Sequence, residues 1–466
     1  MMKFKRLASS CCVLTATLAF ISQPTHAEIP HNAEISASQD HVISLANIKK
    51  DVEFLASDAL KGRKVFTPEL DRAANYIAAR FKQAKLEPFK ASYRQQFDIY
   101  NIKPAALAVT LNGKKVPEAQ MALASTAKSF NWTADSKVVT HIVSKEQNLR
   151  QTLSKINQQG GDHFLVIHPS HQDLFKRYQA YFAKGLTKLS NTPTGTILMV
   201  LDGSKQIDEY SASGSNVVTT KALTNVIGVL PGKTKPEEVV LFTAHYDHIG
   251  TVLSASKDSD EHSNTRGQQD LIYNGADDNA SGVAGVLNLA RYFAAANNND
   301  RTLIFVAFTA EEIGGYGPKH FAKHLPADNV VAMVNMEMIG KTSKFGAGKL
   351  WMTGFERSNL ATIMNQAITH QANRIQADPY PEQQLFYRSD NATFARMGVP
   401  AHSFSTVQLD QDKHYHAVSD EVATLNLASL QQVLATIAKG IKPVVSGVAT
   451  PSRVDSAKVA SEGKIY

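Results

Sequence analysis

From about residue 224 onward the chain alternates near-continuous apolar runs with helical stretches, and this rhythm constrains the fold more than any other feature. The runs at 225–230, 239–244, 302–309 and 330–336 lack the every-second-residue polarity of a strand with one wet face. Each must therefore be buried on both faces, as in a parallel sheet covered by helices. Helical segments such as 281–295 lie between them, so the expected class is α/β: a mixed, mostly parallel sheet sandwiched by helices.

Open sheets of this kind place their chemistry at the carboxyl ends of their strands. Three of the runs end in metal-ligand residue types: the first in His245-Tyr246-Asp247-His248, the second in Glu311-Glu312, the third in Glu337. If those strands are parallel neighbours, an imidazole and several carboxylates share one rim. Carboxylates so placed must take up protons unless a cation compensates them, and a divalent metal is the simplest remedy.

Each piece also has a plainer reading. A lone His-x-Asp is more often a solvated turn than a ligand pair. Gly275-Ala276-Asp277-Asp278-Asn279-Ala280-Ser281-Gly282 reads as a turn and helix cap, which suits Asn279 and Ser281. Capping does not explain two adjacent carboxylates, so one of Asp277 and Asp278 is expected to be a ligand and the other a supporting group. Glu311-Glu312 could be an acidic helix start favoured by the helix dipole; two glutamates with separate duties, one on metal and one moving a proton, fit metal-assisted hydrolysis equally well. His414-Tyr415-His416 with Asp420 supplies a second imidazole source after the strand-like run 399–404. His320 and His324 stand four apart, but Phe321 occupies the place of the glutamate in the two-histidine metalloprotease helix, so a packed or solvated face is preferred.

Residues 1–27 read as an export signal, with a basic start, an apolar stretch of about 15 residues and a Thr25-His26-Ala27 cleavage site. That stretch is shorter than the ~20 residues a spanning helix needs, so no stable membrane anchor is expected after its removal. Both cysteines, Cys11 and Cys12, lie inside it. The mature chain then has no thiol, which suits an oxidising periplasm or exterior and leaves His, Asp and Glu as the metal ligands. The net charge of +7 falls to +4 without Lys3, Lys5 and Arg6, too small and too scattered an excess to indicate nucleic acid. Nor is there a Gly-x-Ser-x-Gly elbow or a phosphate-binding glycine loop.

Taken in order, His245-Tyr246-Asp247-His248, Gly275 to Gly282, Ala310-Glu311-Glu312, Asn335-Met336-Glu337-Met338-Ile339-Gly340 and Tyr415-His416-Ala417-Val418-Ser419-Asp420 resemble the co-catalytic di-zinc aminopeptidase family, which also contains glutamate carboxypeptidases and glutaminyl cyclases. The resemblance covers about 224–441 and, more loosely, 48–89. It implies two zinc ions per chain, one on His245 and Glu337, the other on Glu312 and His416, with Asp278 bridging. It also implies a metal-bridging hydroxide, Glu311 as general base and acid, Asp247 orienting the His245 imidazole, and Tyr415 as donor to the oxyanion. Glu337 stands where relatives more often have Asp, and Asn391 where they often have His. The activity so implied is removal of N-terminal residues from peptide substrates. The alternatives are carboxypeptidase-like cleavage or glutaminyl cyclisation at the same site, or a binding module of the same fold. The expected layout is a helical segment at 28–92 packing on the peptidase domain, a smaller α+β protease-associated-like insert at 93–218, the peptidase domain at 219–444, and a loose polar tail at 445–466.

Overall fold

A computed structural model describes residues 43–255 and 270–466. The proposed export signal and most of the polar stretch 251–269 lie outside the described residues.

The main sheet contains six long strands: β1 (Arg94–Leu111), β2 (Tyr210–Leu230), β3 (Lys235–His245), β4 (Arg301–Phe308), β5 (Val330–Met336) and β6 (Ala401–Ser405). They lie in the order β6-β5-β3-β4-β2-β1. The strand β3 is central and parallel to both β4 and β5, and β5 is parallel to β6. Every residue of β4 and β5 is buried, as continuous apolar runs require. The mixed, mostly parallel sheet expected from the sequence is therefore present.

Four helices, α1 (Leu45–Leu55), α2 (Pro68–Gln83), α3 (Gly282–Ala296) and α4 (Leu427–Val445), contribute to the larger core with Ile48, Phe81, Phe242, Phe305 and Leu434. A second core, on Phe308, Phe321, Phe394 and Val399, fills the other face. Local signals set the helix bounds. In α2, the Thr67 hydroxyl accepts from Leu70 N, Pro68 opens the helix, and acidic Glu69 and Asp71 precede basic Arg80 and Lys82. Among the described residues no helix is long and apolar enough to cross a membrane.

The strands β1 and β2 pair antiparallel from Arg94 opposite Val226 to Leu111 opposite Tyr210. This ribbon grows out of the main sheet and leads to a separate four-stranded sheet, ordered Met121–Ser125, Gly195–Leu201, Gly161–Ile167, Val139–Val143. The helices Leu149–Gln159 and Gln172–Ala183 pack on it around Leu153, Phe175 and Phe182. The expected boundary at 218 falls inside β2, because the insert is joined by continuous strands rather than by linkers.

The expected loose tail is a docked strap. Val454 and Val459 are buried in the second core, and Ile465 is fully buried in the core of the insert. Asn157 Oδ1 accepts from the backbone N–H groups of Ile465 and Tyr466 at 2.8 and 2.9 Å. Burial of these isolated apolar side chains, plus main-chain pairing, outweighs the polar composition around them.

Candidate metal centre

Parallel pairing brings the three strand exits side by side. His245 closes β3, Glu311 and Glu312 sit in the turn after β4, and Glu337 follows β5. Glu311-Glu312 is thus not a helix start, since the next helix begins only at Tyr316. Asp278 arrives from the loop before α3, and His416 from the loop before α4.

The open choice between the two aspartates resolves clearly. Asp277 Oδ1 accepts from Gly340 N at 2.8 Å and from the Ser281 hydroxyl at 3.1 Å, so it ties down the loop. Asn279 is the cap expected of it, accepting from Gly282 N at 3.1 Å. Asp278 faces the cluster. Its Oδ1 lies 3.3 Å from His245 Nε2 and its Oδ2 lies 3.3 Å from His416 Nε2. Around its first oxygen stands Glu337, with Oε1 3.2 Å from His245 Nε2. Beside the second stands Glu312, with Oε2 3.5 Å from His416 Nε2. One carboxylate therefore joins two half-sites, and donor atoms of His245, Asp278 and Glu312 all lie within 4.8 Å of one another.

The electrostatics show what the cluster needs. His245 is held well above the usual imidazole range: burial opposes its charge, but Glu337 and Asp278 overcome that. Asp278 is held well below the carboxylate range, burial again opposing and His248, His245 and His416 prevailing. Glu311 is driven well above its range, chiefly by burial, with Glu312 and Glu337 adding to the effect against His245. Stored protons thus stand in for positive charge. Nitrogen and oxygen donors this close suit a borderline metal such as zinc, and cations would replace those protons.

The structure corrects one assignment. The His245 Nδ1 donor meets the main-chain oxygen of Asp247 at 3.1 Å, whereas the Asp247 carboxylate is 3.9 Å away. That carboxylate accepts instead from Glu311 N at 3.2 Å and Glu312 N at 3.4 Å, setting the turn that carries both glutamates. The carbonyl fixes the tautomer, leaving Nε2 facing the cluster. Tyr415 stacks on the His416 ring, centroids 4.0 Å apart, and lines the cavity beside Glu311. His320 and His324 stay away from this centre. The His320 ring stacks on Phe97 at 4.2 Å and burial pushes it down to about 4, as a packing role requires.

Several supporting contacts are not legible in the sequence, even where the residue stands in a motif. His248 Nδ1 lies 2.7 Å from Glu312 Oε1, and its four-residue string was the available signal. Asp420 Oδ2 accepts from both Asp277 N and Asp278 N at 3.0 Å, fixing the main chain that carries Asp278. Glu337 ends a chain of donors. Thr243 donates to Asn335 Oδ1, Asn335 Nδ2 donates to the Ser389 and Ser403 hydroxyls, and Ser389 donates to Glu337 Oε2 at 2.6 Å. Ser403 donates to Asn391, which is buried and serves this network rather than the cluster.

A cavity of about 110 Å³ opens onto the centre, walled by Met338, Trp351, Leu385, Val407 and Leu409. Arg388 also lines it and has no carboxylate partner within ion-pair distance among the described residues.

The model of "Peptidase family M28" matches residues 225–441. A vacuolar membrane protease of Schizosaccharomyces pombe is 22% identical over 280 residues, covering 60% of this chain and 30% of that protein. Aminopeptidase YwaD of Bacillus subtilis is 21% identical over 460 residues, covering 91% of this chain and 93% of that one. Among solved structures, an aminopeptidase from Aneurinibacillus sp. strain AM-1 covers 91% of this chain and 98% of its own, at 18% identity and a TM-score of 0.49.

Proposed function

Through its domain of residues 225–441 the chain belongs to peptidase family M28, and from that premise we propose that it is a zinc aminopeptidase holding two ions in the half-sites that Asp278 joins. The observation that carries this reading is that one carboxylate faces two imidazoles, each with its own glutamate. His245 and Glu337 would hold one ion, Glu312 and His416 the other, and Asp278 both. Such ions polarise a carbonyl and lower the pKa of a water.

The remaining chemistry belongs to the chain. Glu311 lines the cavity, and its buried carboxyl keeps a proton well above the usual carboxylate range. With cations bound, its ionised form would be favoured, and that carboxylate can accept a proton from water and return it to the departing amine. The Tyr415 phenol is also held above its usual range by burial, so it stays protonated and can donate to an oxyanion. The apolar walls take the side chain of the residue removed. Residues 1–27 remain, in this reading, a signal that exports the chain to the periplasm or beyond.

Arg388 favours a second reading. A cation in the cavity can bind a carboxylate, which a carboxypeptidase-like activity would use. Metal analysis together with paired substrates separates the two: aminoacyl chromogenic amides against peptides blocked at the amino end. Two zinc ions and cleavage of the free-amine substrates alone support the proposal, and turnover of blocked peptides alone replaces it. Glu311→Gln is expected to keep both ions and lose about 10³-fold in kcat; full activity would remove Glu311 from the mechanism.

A further inference from the structure

Arg63 is fully buried, yet among the described residues its side chain touches no carboxylate within hydrogen-bond distance. Its guanidinium is spent on four main-chain oxygens. Nε donates to Tyr246 O at 2.9 Å, Nη1 to Asn274 O at 2.6 Å and to Leu55 O, and Nη2 to Gly275 O at 3.0 Å. His248 N donates back to Arg63 O at 3.2 Å. Tyr246 follows His245, and Gly275 stands two residues before Asp277, the first of the aspartate pair. One planar fork thus spans the two loops that deliver His245 and Asp278, from a segment nearly two hundred residues earlier.

The backbone is shaped to admit it. Lys61, Gly62 and Arg63 all have positive φ, at 42°, 68° and 46°. A Cβ on Gly62 would stand 2.3 Å from Gly250 O and 2.4 Å from Tyr273 O, so only glycine allows this approach. Burying a guanidinium against carbonyls alone is costly. The cost is offset by the carboxylates above it: burial draws Arg63 down only to about 10, because Asp278, Asp420, Asp247 and Glu312 hold its charge.

We infer that Arg63 is a positioning residue, setting the spacing between His245 and Asp278 by fastening both their loops to one rigid fork. The inference rests on the proposed metal centre and adds a residue outside its ligands. Lysine keeps the charge but offers a single point, so it cannot bridge three segments. The test compares wild type, Arg63→Lys and Arg63→Gln. It measures melting of the metal-free protein, the rise in melting temperature with added zinc, and zinc affinity by chelator competition. Arg63→Lys should fold and bind zinc about 10- to 100-fold more weakly, with a smaller zinc-induced rise and a loss in kcat larger than any change in KM. Wild-type zinc affinity in Arg63→Lys would overturn the inference, as would failure of both variants to fold, which would make Arg63 a residue of the fold at large. Wild type that takes up no zinc would instead overturn the metal centre itself.

Discussion

The two larger sheets of the molecule both contain buried parallel strands that end in potential ligands, yet among the described residues only the main sheet gathers them into a cluster. In the insert, Gly161–Ile167 runs into His168 and Gly195–Leu201 into Asp202. These groups turn to neighbours two residues on: His168 Nδ1 accepts from Ser170 N at 3.1 Å, and Asp202 Oδ1 from Ser204 N at 2.8 Å. In the main sheet the partners lie far away in sequence: Asp278 meets His416, and His245 meets Glu337. A polar group satisfied by its own turn has no reason to gather others. One that is fully buried and keeps an atom its own turn does not satisfy, as His245 does at Nε2, must find partners across the fold, or find a cation.

The largest effect should follow from breaking the convergent side. Asp278→Asn removes the negative charge shared by both half-sites while keeping the shape. Chelator competition should show both ions weakened beyond the ~100-fold that losing an outer partner costs, with turnover falling in parallel. Retention of two tightly held ions would show that Asp278 does not join the half-sites.

A second substitution tests whether the two regions are energetically separate. Ile465 is fully buried in the core of the insert and belongs to the strap that also buries Val454 and Val459 against the main sheet. Ile465→Ala should cost about 2–5 kcal/mol in denaturant unfolding, with zinc affinity unchanged. Weakened zinc binding would mean that the strap governs the metal centre as well.

Legibility in the sequence follows the same division. The four apolar runs of the main domain announced their burial because an unbroken run needs no partner to be recognised, and β5 matches its expected span residue for residue. His245, Glu311, Glu312 and Glu337 were legible because each directly follows such a run. The strap was not. Val454, Val459 and Ile465 are spaced without helical or strand period, and only the grooves they enter give them meaning. The insert boundary was misplaced because β2 is fully buried near its base and exposed where it leaves the sheet, so its texture changes without the strand ending. Arg63 and the carbonyl of Asp247 act through main-chain oxygens, which every residue has and no letter distinguishes.

Within the site, Ser389 sharpens the comparison further. Because its oxygen already accepts from Asn335, its proton is committed to Glu337 Oε2, leaving Oε1 turned to His245. Ser389→Ala should weaken only the ion held by His245 and Glu337, about 10-fold or somewhat more, and leave the other half-site intact. A two-step chelator titration resolves this. Equal loss at both steps would mean that the serine supports the loop rather than Glu337.

The smallest effect belongs to the insert's strand end. Asp202 accepts from both the N–H and the hydroxyl of Ser204, and among the described residues it meets no imidazole. Asp202→Ala should therefore remove one local turn contact, costing about 1 kcal/mol of stability and nothing in zinc affinity or turnover. A carboxylate at the end of a parallel strand would then matter greatly in one sheet, as Glu337 does, and scarcely in the other. If Asp202→Ala lowered zinc affinity, local satisfaction would no longer separate a turn from a ligand, and the distinction drawn between the two sheets would fail.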